Sequence, residues 1–219
     1  MIAQRLAQIR TLLPAQVQLI AVSKQQAVEL IEEAYQQNQR CFAENKVQEL
    51  ATKYDLLPHD IQWHFIGHLQ TNKVKYIAPF VSLIHSVDSF KLLQAIDDEA
   101  AANQRVIRCL LQFKIAREAS KFGLDMDEAT GFLTTDTYKK LRHVEICGVM
   151  GMATFTNDTT QIRNEFNTLH QYFDILSQQF FKDSPSFKEL SMGVSDDYHI
   201  AIECGSTMVR LGSSIFGER

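Results

Sequence analysis

The sequence predicts an α/β fold in which eight parallel strands alternate with helices and close into a single (β/α)8 (TIM) barrel, with an extra amino-terminal helix. Eight short apolar segments alternate with stretches whose apolar residues recur at helical spacing. No linker rich in Gly, Pro or Ser divides the 219 residues, and barrels of this length are commonly one domain. We therefore expect residues 1–219 to form one domain. A doubly wound open sheet is the alternative, and six or fewer strands would favour it.

The predicted strands are short apolar runs, as expected where parallel strands are buried on both faces. The strongest is 106–113. In chain order, the predicted strands cover 19–22, 40–45, 61–66, 81–87, 106–113, 144–150, 189–192 and 208–210. The loop charges Glu118 and Lys121 are interpreted as part of a solvated face.

The predicted helices are recognised by apolar residues three and four positions apart. The clearest begins at Ile162, where this spacing continues to Phe180. Pro14 and Pro58 are expected to end the helices that precede them, because proline cannot continue a helix. In chain order, the predicted helices cover 2–12, 27–37, 47–57, 72–78, 89–102, 126–140, 162–180 and 196–204.

Lys24 follows the first predicted strand, Leu19-Ile20-Ala21-Val22. In parallel sheets and barrels, ligands bind at the carboxyl ends of the strands. A partly desolvated lysine at such a position is a plausible amine nucleophile toward an aldehyde. Most lysines simply lie at the surface, so the structural alternative is a side chain that ends the strand by reaching solvent. The functional hypothesis is that the fold places a phosphate-bearing aldehyde over Lys24.

Two turns rich in small and hydroxyl residues follow the last two predicted strands, at 191–197 and 205–213. Small residues let backbone N–H groups approach an anion, and the hydroxyls of Ser195, Thr207 and Ser213 can add donors. Barrels often bind phosphate after these two strands. The two turns together predict a phosphate site, although each alone could be an ordinary loop.

Arg210 and Asn45 are two further candidates. Arg210 lies within the apolar eighth strand, where an unpaired buried charge is costly. Either it forms an ion pair with Glu203 or Glu145, or its guanidinium contacts a ring nitrogen or phosphate of a ligand. Asn45 ends the second strand, where its amide either faces a ring substituent at the barrel mouth or caps the next helix.

Composition argues against several classes of protein. A net charge of −4 gives no electrostatic footprint for nucleic acid, and no apolar run approaches membrane-spanning length. The first residues do not resemble a signal peptide. Four widely spaced cysteines are typical of free thiols in a reducing cytoplasm. His64 and His68 are four residues apart but flank a strand end without the glutamate of a zinc motif, so we expect no metal site.

The sequence resembles the pyridoxal phosphate homeostasis proteins, a small family also called YggS or PROSC proteins. The resemblance covers nearly the whole chain. It differs from the usual pattern at Ala43, Val194 and Gln25, where glycine, methionine and threonine are more common. The motifs that carry it are Ala21-Val22-Ser23-Lys24, Phe42-Ala43-Glu44-Asn45, the segment from Trp63 to Lys73 (WHFIGHLQTNK), Met192-Gly193-Val194-Ser195-Asp196-Asp197, and Gly205-Ser206-Thr207-Met208-Val209-Arg210-Leu211-Gly212.

The resemblance implies a fold-type III barrel like the amino-terminal domain of alanine racemase, with pyridoxal 5′-phosphate (PLP) as cofactor. It implies an aldimine between PLP and Lys24. By the same resemblance, Ser195, Gly212 and Ser213 would hold the phosphate, with Thr207 nearby. Arg210 would face the pyridine nitrogen. An arginine there keeps that nitrogen unprotonated, which weakens carbanion stabilisation and makes transamination and decarboxylation unfavourable.

We therefore expect a monomeric cytoplasmic carrier and buffer of PLP, without robust catalysis, that gives the cofactor to PLP-dependent apo-enzymes. A slow single-domain amino-acid racemase is the alternative. Two-base racemisation needs a group on the second face of the cofactor, which alanine racemase supplies from another domain, and this chain ends at Arg219, soon after the eighth strand. A third hypothesis is a barrel enzyme for an unrelated phosphorylated metabolite, in which Lys24 acts only electrostatically.

Overall fold

A computed structural model describes residues 1–117 and 122–217 of the chain. Eight parallel strands form a closed barrel in which each strand pairs with the next along the chain and β8 pairs with β1. The predicted barrel is therefore confirmed, and the open sheet is excluded because it would leave two unpaired edges. Glu118 and Lys121, which the sequence suggested form part of a solvated face, lie outside the described residues.

The strands are short, and they agree with the predicted segments to within two residues at each end. Pairing of β1 with β8 brings Ile20 opposite Arg210 and so closes the ring beside the two predicted ligand-binding segments. The strands are Gln18–Val22 (β1), Cys41–Glu44 (β2), Gln62–Phe65 (β3), Leu83–Val87 (β4), Ile107–Gln112 (β5), Val144–Met150 (β6), Glu189–Ser191 (β7) and Met208–Leu211 (β8).

The helices cover the outside of the barrel. They are Ile2–Leu12 (α1), Val28–Gln36 (α2), Val47–Leu56 (α3), Phe90–Ala102 (α4), Met126–Leu133 (α5), Asp136–Lys139 (α6), Thr159–Gln179 (α7), Tyr198–Glu203 (α8) and Ser213–Phe216 (α9). A 3-10 helix covers Thr71–Tyr76, where the sequence predicted a short helix over 72–78.

Two helical predictions need correction. The helix predicted over 126–140 is divided into α5 and α6, because the Thr135 hydroxyl accepts a hydrogen bond from the Tyr138 N–H and starts a new helix. The short helix α9 was not predicted, since its four residues are too few to show a helical period.

The core has two layers. The larger one lies between the barrel and its helices and includes Trp63, Phe65 and Phe166, all at most 1% exposed. The smaller one fills the barrel interior with residues such as Ile20, Val22 and Met208. Side chains alternate along a regular strand, so Ile20 and Val22 of β1 both face this interior.

This alternation directs the residues after the strands toward the barrel mouth. Ile20 and Val22 face inward on β1, and two residues further on comes Lys24. Likewise, Ala43 faces inward on β2 and is followed two positions later by Asn45. The strands therefore place both side chains at the same end of the barrel. In the described part of the chain, no helix is both long and apolar enough to cross a bilayer.

Candidate cofactor-binding site

A cavity of about 580 Å³ opens at the carboxyl ends of the strands. This volume is in the usual range for a small-molecule site. The cavity brings together six of the seven residues that the sequence singled out, although they are up to 189 positions apart along the chain. These six are Lys24, Asn45, Ser195, Arg210, Gly212 and Ser213.

Lys24 enters the cavity from the segment after β1 and is partly buried. Among the described residues, its Nζ makes no hydrogen bond or ion pair. The side chain is therefore neither a simple strand end in bulk solvent nor one half of a salt bridge. An amine held in a cavity without a protein partner is available to a ligand.

Asn45 lines the cavity beside Gly67, which follows β3. The two backbones lie so close that a Cβ on Gly67 would come 2.1 Å from the Asn45 carbonyl oxygen. Only glycine permits this approach. The Asn45 side chain makes no capping hydrogen bond to α3, whose N-cap residue is Lys46. The helix-capping alternative for Asn45 is therefore wrong.

Ser195, Gly212 and Ser213 form the side of the cavity next to β8. The Gly212 N–H donates to the Ser195 hydroxyl at 3.3 Å, so the turns after β7 and β8 are tied together. A Cβ on Gly212 would lie 3.3 Å from the Val22 carbonyl oxygen, so a larger residue here would require a small shift of one of the two backbones. Hydroxyls and a closely packed glycine provide the donor set that suits a phosphate.

Arg210 is the buried cation of the site, with 3% of its surface exposed. Its Nη1 donates to the Ser191 hydroxyl at 2.6 Å and its Nη2 to the Gly151 carbonyl at 3.1 Å. Burial lowers the pKa of Arg210 to about 10, and the charge of Asp197 opposes this shift. The guanidinium is therefore charged at neutral pH, and it can donate to a ligand atom but never accept.

The ion-pair alternative for Arg210 is wrong. Glu203 pairs instead with Arg163 on the surface, and Glu145 contacts the Cys147 thiol. The two hydrogen bonds of Arg210 go to neutral oxygens, and Arg210 also lines the cavity.

A row of neutral side chains continues from Arg210 into the barrel. His85 Nδ1 lies 3.0 Å from the Ser191 hydroxyl, and His85 Nε2 lies 2.9 Å from His64 Nδ1. Burial, followed by the charge of Arg108, lowers the pKa of His64 to about 3. Burial also lowers the pKa of His85 far below its ordinary value. Both imidazoles are therefore neutral and support Arg210 without adding positive charge.

Thr207 does not belong to this site. It precedes β8 and lies at the amino end of that strand, whereas the cavity is at the carboxyl end. Its hydroxyl accepts from the Leu190 N–H at 2.8 Å and donates to Glu189 Oε2 at 3.1 Å. The expectation that Thr207 lies near a phosphate is thus wrong, because the whole length of β8 separates it from Gly212.

His68 is a site residue that the sequence analysis considered only as a metal ligand. It lines the cavity, stacks on Phe122 with ring centroids 3.9 Å apart, and its Nδ1 lies 2.9 Å from Asp88 Oδ2. Its position after β3 could have signalled this role, as it did for Lys24 after β1. Within 1–117 and 122–217, no group of three or more His, Cys, Asp or Glu residues is placed to hold a metal ion.

A second set of charged residues lies directly behind Lys24. Lys53 on α3, which is 5% exposed, forms ion pairs with Glu44 at 2.8 Å and with Glu49 at 2.7 Å. Glu44 belongs to a motif that the sequence already showed, but Lys53 and Glu49 gave no signal, because they occupy ordinary positions of a predicted helix. Only the fold brings them against the loop that carries Lys24.

Comparison with known proteins finds relatives that share one family and one name. A family model described as alanine racemase, N-terminal domain, matches residues 1–219. The pyridoxal phosphate homeostasis protein of Vibrio alginolyticus is 37% identical over 211 residues, 94% of this chain and 88% of that protein. The protein of the same name from Synechocystis is 36% identical over 215 residues, 97% of this chain and 96% of that protein.

Solved structures include close matches along the full chain. PipY of Synechococcus elongatus, 36% identical, superposes with a TM-score of 0.92 without PLP and 0.90 with PLP bound, over 99% of this chain and 100% of PipY. An alanine racemase of Clostridium difficile is 13% identical with a TM-score of 0.76, and the match covers 100% of this chain and 56% of the racemase. This second likeness shows the shared barrel fold alone.

Proposed function

Since this chain belongs to the family of pyridoxal phosphate homeostasis proteins and matches the model of the alanine racemase N-terminal domain, we propose that it is a PLP carrier and buffer. It binds PLP at the barrel mouth and holds it through Lys24. The observation that carries the proposal is the amine of Lys24, which makes no hydrogen bond or ion pair within the described residues and shares one cavity with Arg210, Ser195 and Ser213.

The residues of the cavity fit the three polar parts of PLP. Lys24 supplies an amine for the aldehyde, and Arg210 supplies a donor for the pyridine nitrogen. Ser195, Gly212 and Ser213 would hold the phosphate: the two serines supply hydroxyl donors, and the Gly212 N–H holds the Ser195 hydroxyl in place. The fit supports one cofactor-binding domain over residues 1–219. Asn45 lines the same cavity, and its amide would contact a ring substituent of PLP.

The chemistry of the site favours storage over catalysis. PLP supplies an aldehyde that condenses reversibly with an amine and releases water. Arg210 is buried and charged at neutral pH, so it donates to the ring nitrogen and leaves that nitrogen unprotonated. This weakens the electron withdrawal on which transamination and decarboxylation depend. What remains is reversible capture of the aldehyde, as a buffer requires.

The proposal includes the partners and the location of the protein. A buffer of PLP gives its cofactor to PLP-dependent apo-enzymes, and we propose that this protein does so as a cytoplasmic monomer. The four cysteines support a reducing compartment, because all are free and buried. The relatives carry the name of PLP homeostasis proteins, which supports the same role.

A slow amino-acid racemase is a second candidate, and His68 is the observation that favours it. His68 lines the same cavity as Lys24, and Asp88 orients its ring through Nδ1. An oriented imidazole can act as an acid or base, so Lys24 and His68 would be the two bases of such a reaction. Incubation of the loaded protein with excess L-alanine in D2O tests it. Formation of D-alanine over many turnovers would favour the racemase. The absence of D-alanine would exclude it.

Borohydride trapping tests the carrier proposal. The purified protein is incubated with PLP, reduced and digested, and mass spectrometry locates the adduct. We expect the phosphopyridoxyl group on Lys24, no adduct on that peptide in Lys24→Ala, and full trapping in Lys46→Ala, which removes an exposed lysine close to Asn45. PLP that binds but leaves no adduct on Lys24 would contradict the proposal and favour a purely electrostatic role for that lysine.

A further inference from the structure

The inference concerns the charged cluster behind Lys24 and rests on the proposed function. We propose that Lys53 and Glu49 of α3, together with Glu44 at the end of β2, are positioning residues that hold the Lys24 amine in the direction needed to capture the cofactor aldehyde. None of the three lines the cavity with Lys24, so they act through the backbone that carries it.

Lys24 is a central residue of a tight turn. The Gln26 N–H donates to the Ser23 carbonyl at 3.0 Å, which leaves Lys24 and Gln25 as the two middle residues. Gln25 has φ of +60°, a left-handed conformation that glycine or asparagine adopts more readily than glutamine. A residue in this region costs free energy and persists where the surroundings hold it in place. The turn next to Lys24 therefore needs external support.

The charged cluster supplies that support on both sides of Lys24. Lys53 Nζ donates to the Ser23 carbonyl at 2.7 Å, which belongs to the peptide group before Lys24. The Gln25 N–H, in the peptide group after Lys24, donates to Glu49 Oε1 at 2.6 Å. Because Lys53 and Glu49 also pair with each other at 2.7 Å, one ion pair on one helix fixes both peptide planes that flank the amine-bearing residue.

The cluster is also anchored to the barrel wall. Glu44 is fully buried on β2, and its Oε1 accepts from the Ser23 hydroxyl at 2.7 Å and from Lys53 Nζ at 2.8 Å. With Ser23, Glu44 and Glu49 as acceptors, all three hydrogens of the Lys53 ammonium are used. Lys53 is thereby fixed in position and occupied, whereas Lys24 stays open to a ligand.

The amount of buried charge favours a geometric role over simple packing. Burial raises the pKa of Glu44, which the hydrogen bond from Lys53 opposes, and Glu44 Oε2 is buried without a partner in the described residues. Apolar side chains of similar size would fill this space at lower cost. Hydrogen bonds to two specified peptide groups, in contrast, are something that apolar side chains cannot provide.

The test separates the position of the amine from the integrity of the cavity. The full-length variants Lys53→Met and Glu49→Gln are compared with the wild type and with Lys91→Met, an exposed lysine of α4. Each protein is titrated with PLP, reduced with borohydride and assayed for adduct on Lys24. Each is also titrated by calorimetry with 4-deoxypyridoxine 5′-phosphate, which lacks the aldehyde and so reports binding without condensation.

We expect Lys53→Met to lower trapping on Lys24 at subsaturating PLP by about tenfold or more, because small misplacements of a reacting group cost rate and yield steeply. Glu49→Gln keeps the shape of the side chain and removes only its charge, so we expect a smaller decrease in trapping on Lys24. Affinity for the aldehyde-free analogue stays within about twofold of wild type, since the phosphate and ring contacts are unchanged. The circular dichroism of the bound chromophore should change in the same variants, and Lys91→Met should match the wild type throughout.

Wild-type trapping in both cluster variants would overturn the inference. An equal loss of analogue affinity and trapping would also overturn it, because the cluster would then maintain the cavity as a whole. If Lys53→Met does not fold, judged by its thermal unfolding, Glu49→Gln decides the outcome. Failure of the wild type itself to form the adduct would instead contradict the proposed function, so the two failures are distinguishable.

Discussion

At the scale of single residues, Arg210 is the buried charged residue of the site. It is a buried cation whose hydrogen bonds go to Ser191 and Gly151, and it lines the cavity. Its pKa of about 10 keeps it protonated throughout the physiological range. Under the proposed function, the ring nitrogen of PLP would therefore meet a hydrogen-bond donor that stays charged.

Arg210→Gln tests this contribution. Hydrogen bonds to charged groups contribute about 1.5 to 3 kcal/mol, so we expect the affinity for PLP to fall about ten- to a hundredfold, with the adduct on Lys24 still forming at saturation. Equilibrium titration measures the effect. Arg163→Gln is the control, because Arg163 pairs with Glu203 on the surface, away from the cavity. Wild-type affinity in Arg210→Gln would contradict the role given to Arg210.

Gly67 lets the loops after β2 and β3 lie close together at the barrel mouth. In Gly67→Ala, the added Cβ would lie 2.1 Å from the Asn45 carbonyl oxygen, so the loops after β2 and β3 must move apart. We expect the free energy of unfolding to fall by about 1 to 3 kcal/mol and the affinity for PLP to weaken, because Asn45 moves with its loop. Urea unfolding and PLP titration measure the two effects.

Gly131 provides the control for that substitution. It lies within α5, and a Cβ there would meet nothing within 4 Å. Alanine is a better helix former than glycine, so Gly131→Ala should raise stability by up to about 1 kcal/mol and leave PLP affinity unchanged. Equal destabilisation by the two substitutions would show that the close approach at Gly67 is not what matters.

Individual site residues could be predicted to the extent that strand ends could be located. Lys24, Asn45 and Arg210 were found because each belongs to or directly follows a recognisable apolar strand. Thr207 was misplaced because the whole segment 205–213 was treated as one phosphate-binding turn, although the strand predicted over 208–210 already separates Thr207 from Gly212. Lys53 gave no signal, since its role depends on a contact across the fold with Ser23.

At the scale of elements, the inner faces of the strands form one hydrogen-bonded row. His64 on β3, His85 on β4, Ser191 on β7 and Arg210 on β8 are linked through contacts of 2.6 to 3.0 Å. Arginine only donates, so the Ser191 hydroxyl accepts from it and is free to direct its own hydrogen to His85 Nδ1. The barrel interior thus connects the cation at the mouth to two neutral imidazoles.

The buried histidines predict a loss of stability in acid. The pKa of His64 is lowered to about 3 in the folded protein, whereas an unfolded histidine titrates near 6.5. As the pH falls below about 6.5, the unfolded chain therefore binds a proton at this histidine and the folded chain does not. Each such histidine lowers the free energy of unfolding by up to about 1.4 kcal/mol per pH unit. His85 shifts in the same direction.

His64→Gln isolates this effect. We expect the pH dependence of the unfolding free energy between about pH 6 and pH 4 to flatten by about 1.4 kcal/mol per unit, measured by urea unfolding at each pH. Ser191→Ala is the control, because it removes a hydrogen-bond partner of His85 but no imidazole, and should lower stability without flattening the curve. An unchanged slope in His64→Gln would show that His64 is not excluded from protonation by burial.

Helices and strands could be predicted where the spacing of apolar residues repeats over enough positions to be recognised. The long helix α7 and the apolar strands β1 and β5 show clear patterns over several residues. The break between α5 and α6 was missed because a single threonine cap at Thr135 ends the period without a proline or glycine. The four-residue helix α9 is too short to carry any period.

At the scale of the whole molecule, barrel closure creates the site. Pairing of β8 with β1 brings the first strand beside the last, so Lys24 and Ser213 line one cavity from opposite ends of the sequence. The sequence could predict this meeting only through the rule that parallel strands present their carboxyl ends on one side. The shape of the cavity and the partners of Arg210 required the structure.

The most direct test of the account is an absorbance titration of the purified, cofactor-free protein with PLP, beside Lys24→Ala. The account predicts a visible band of a protein-bound Schiff base in the wild type that saturates at one cofactor per chain and is absent from Lys24→Ala. A wild type that stays colourless, or the same band with the same saturation in Lys24→Ala, would contradict the claim that Lys24 holds the cofactor.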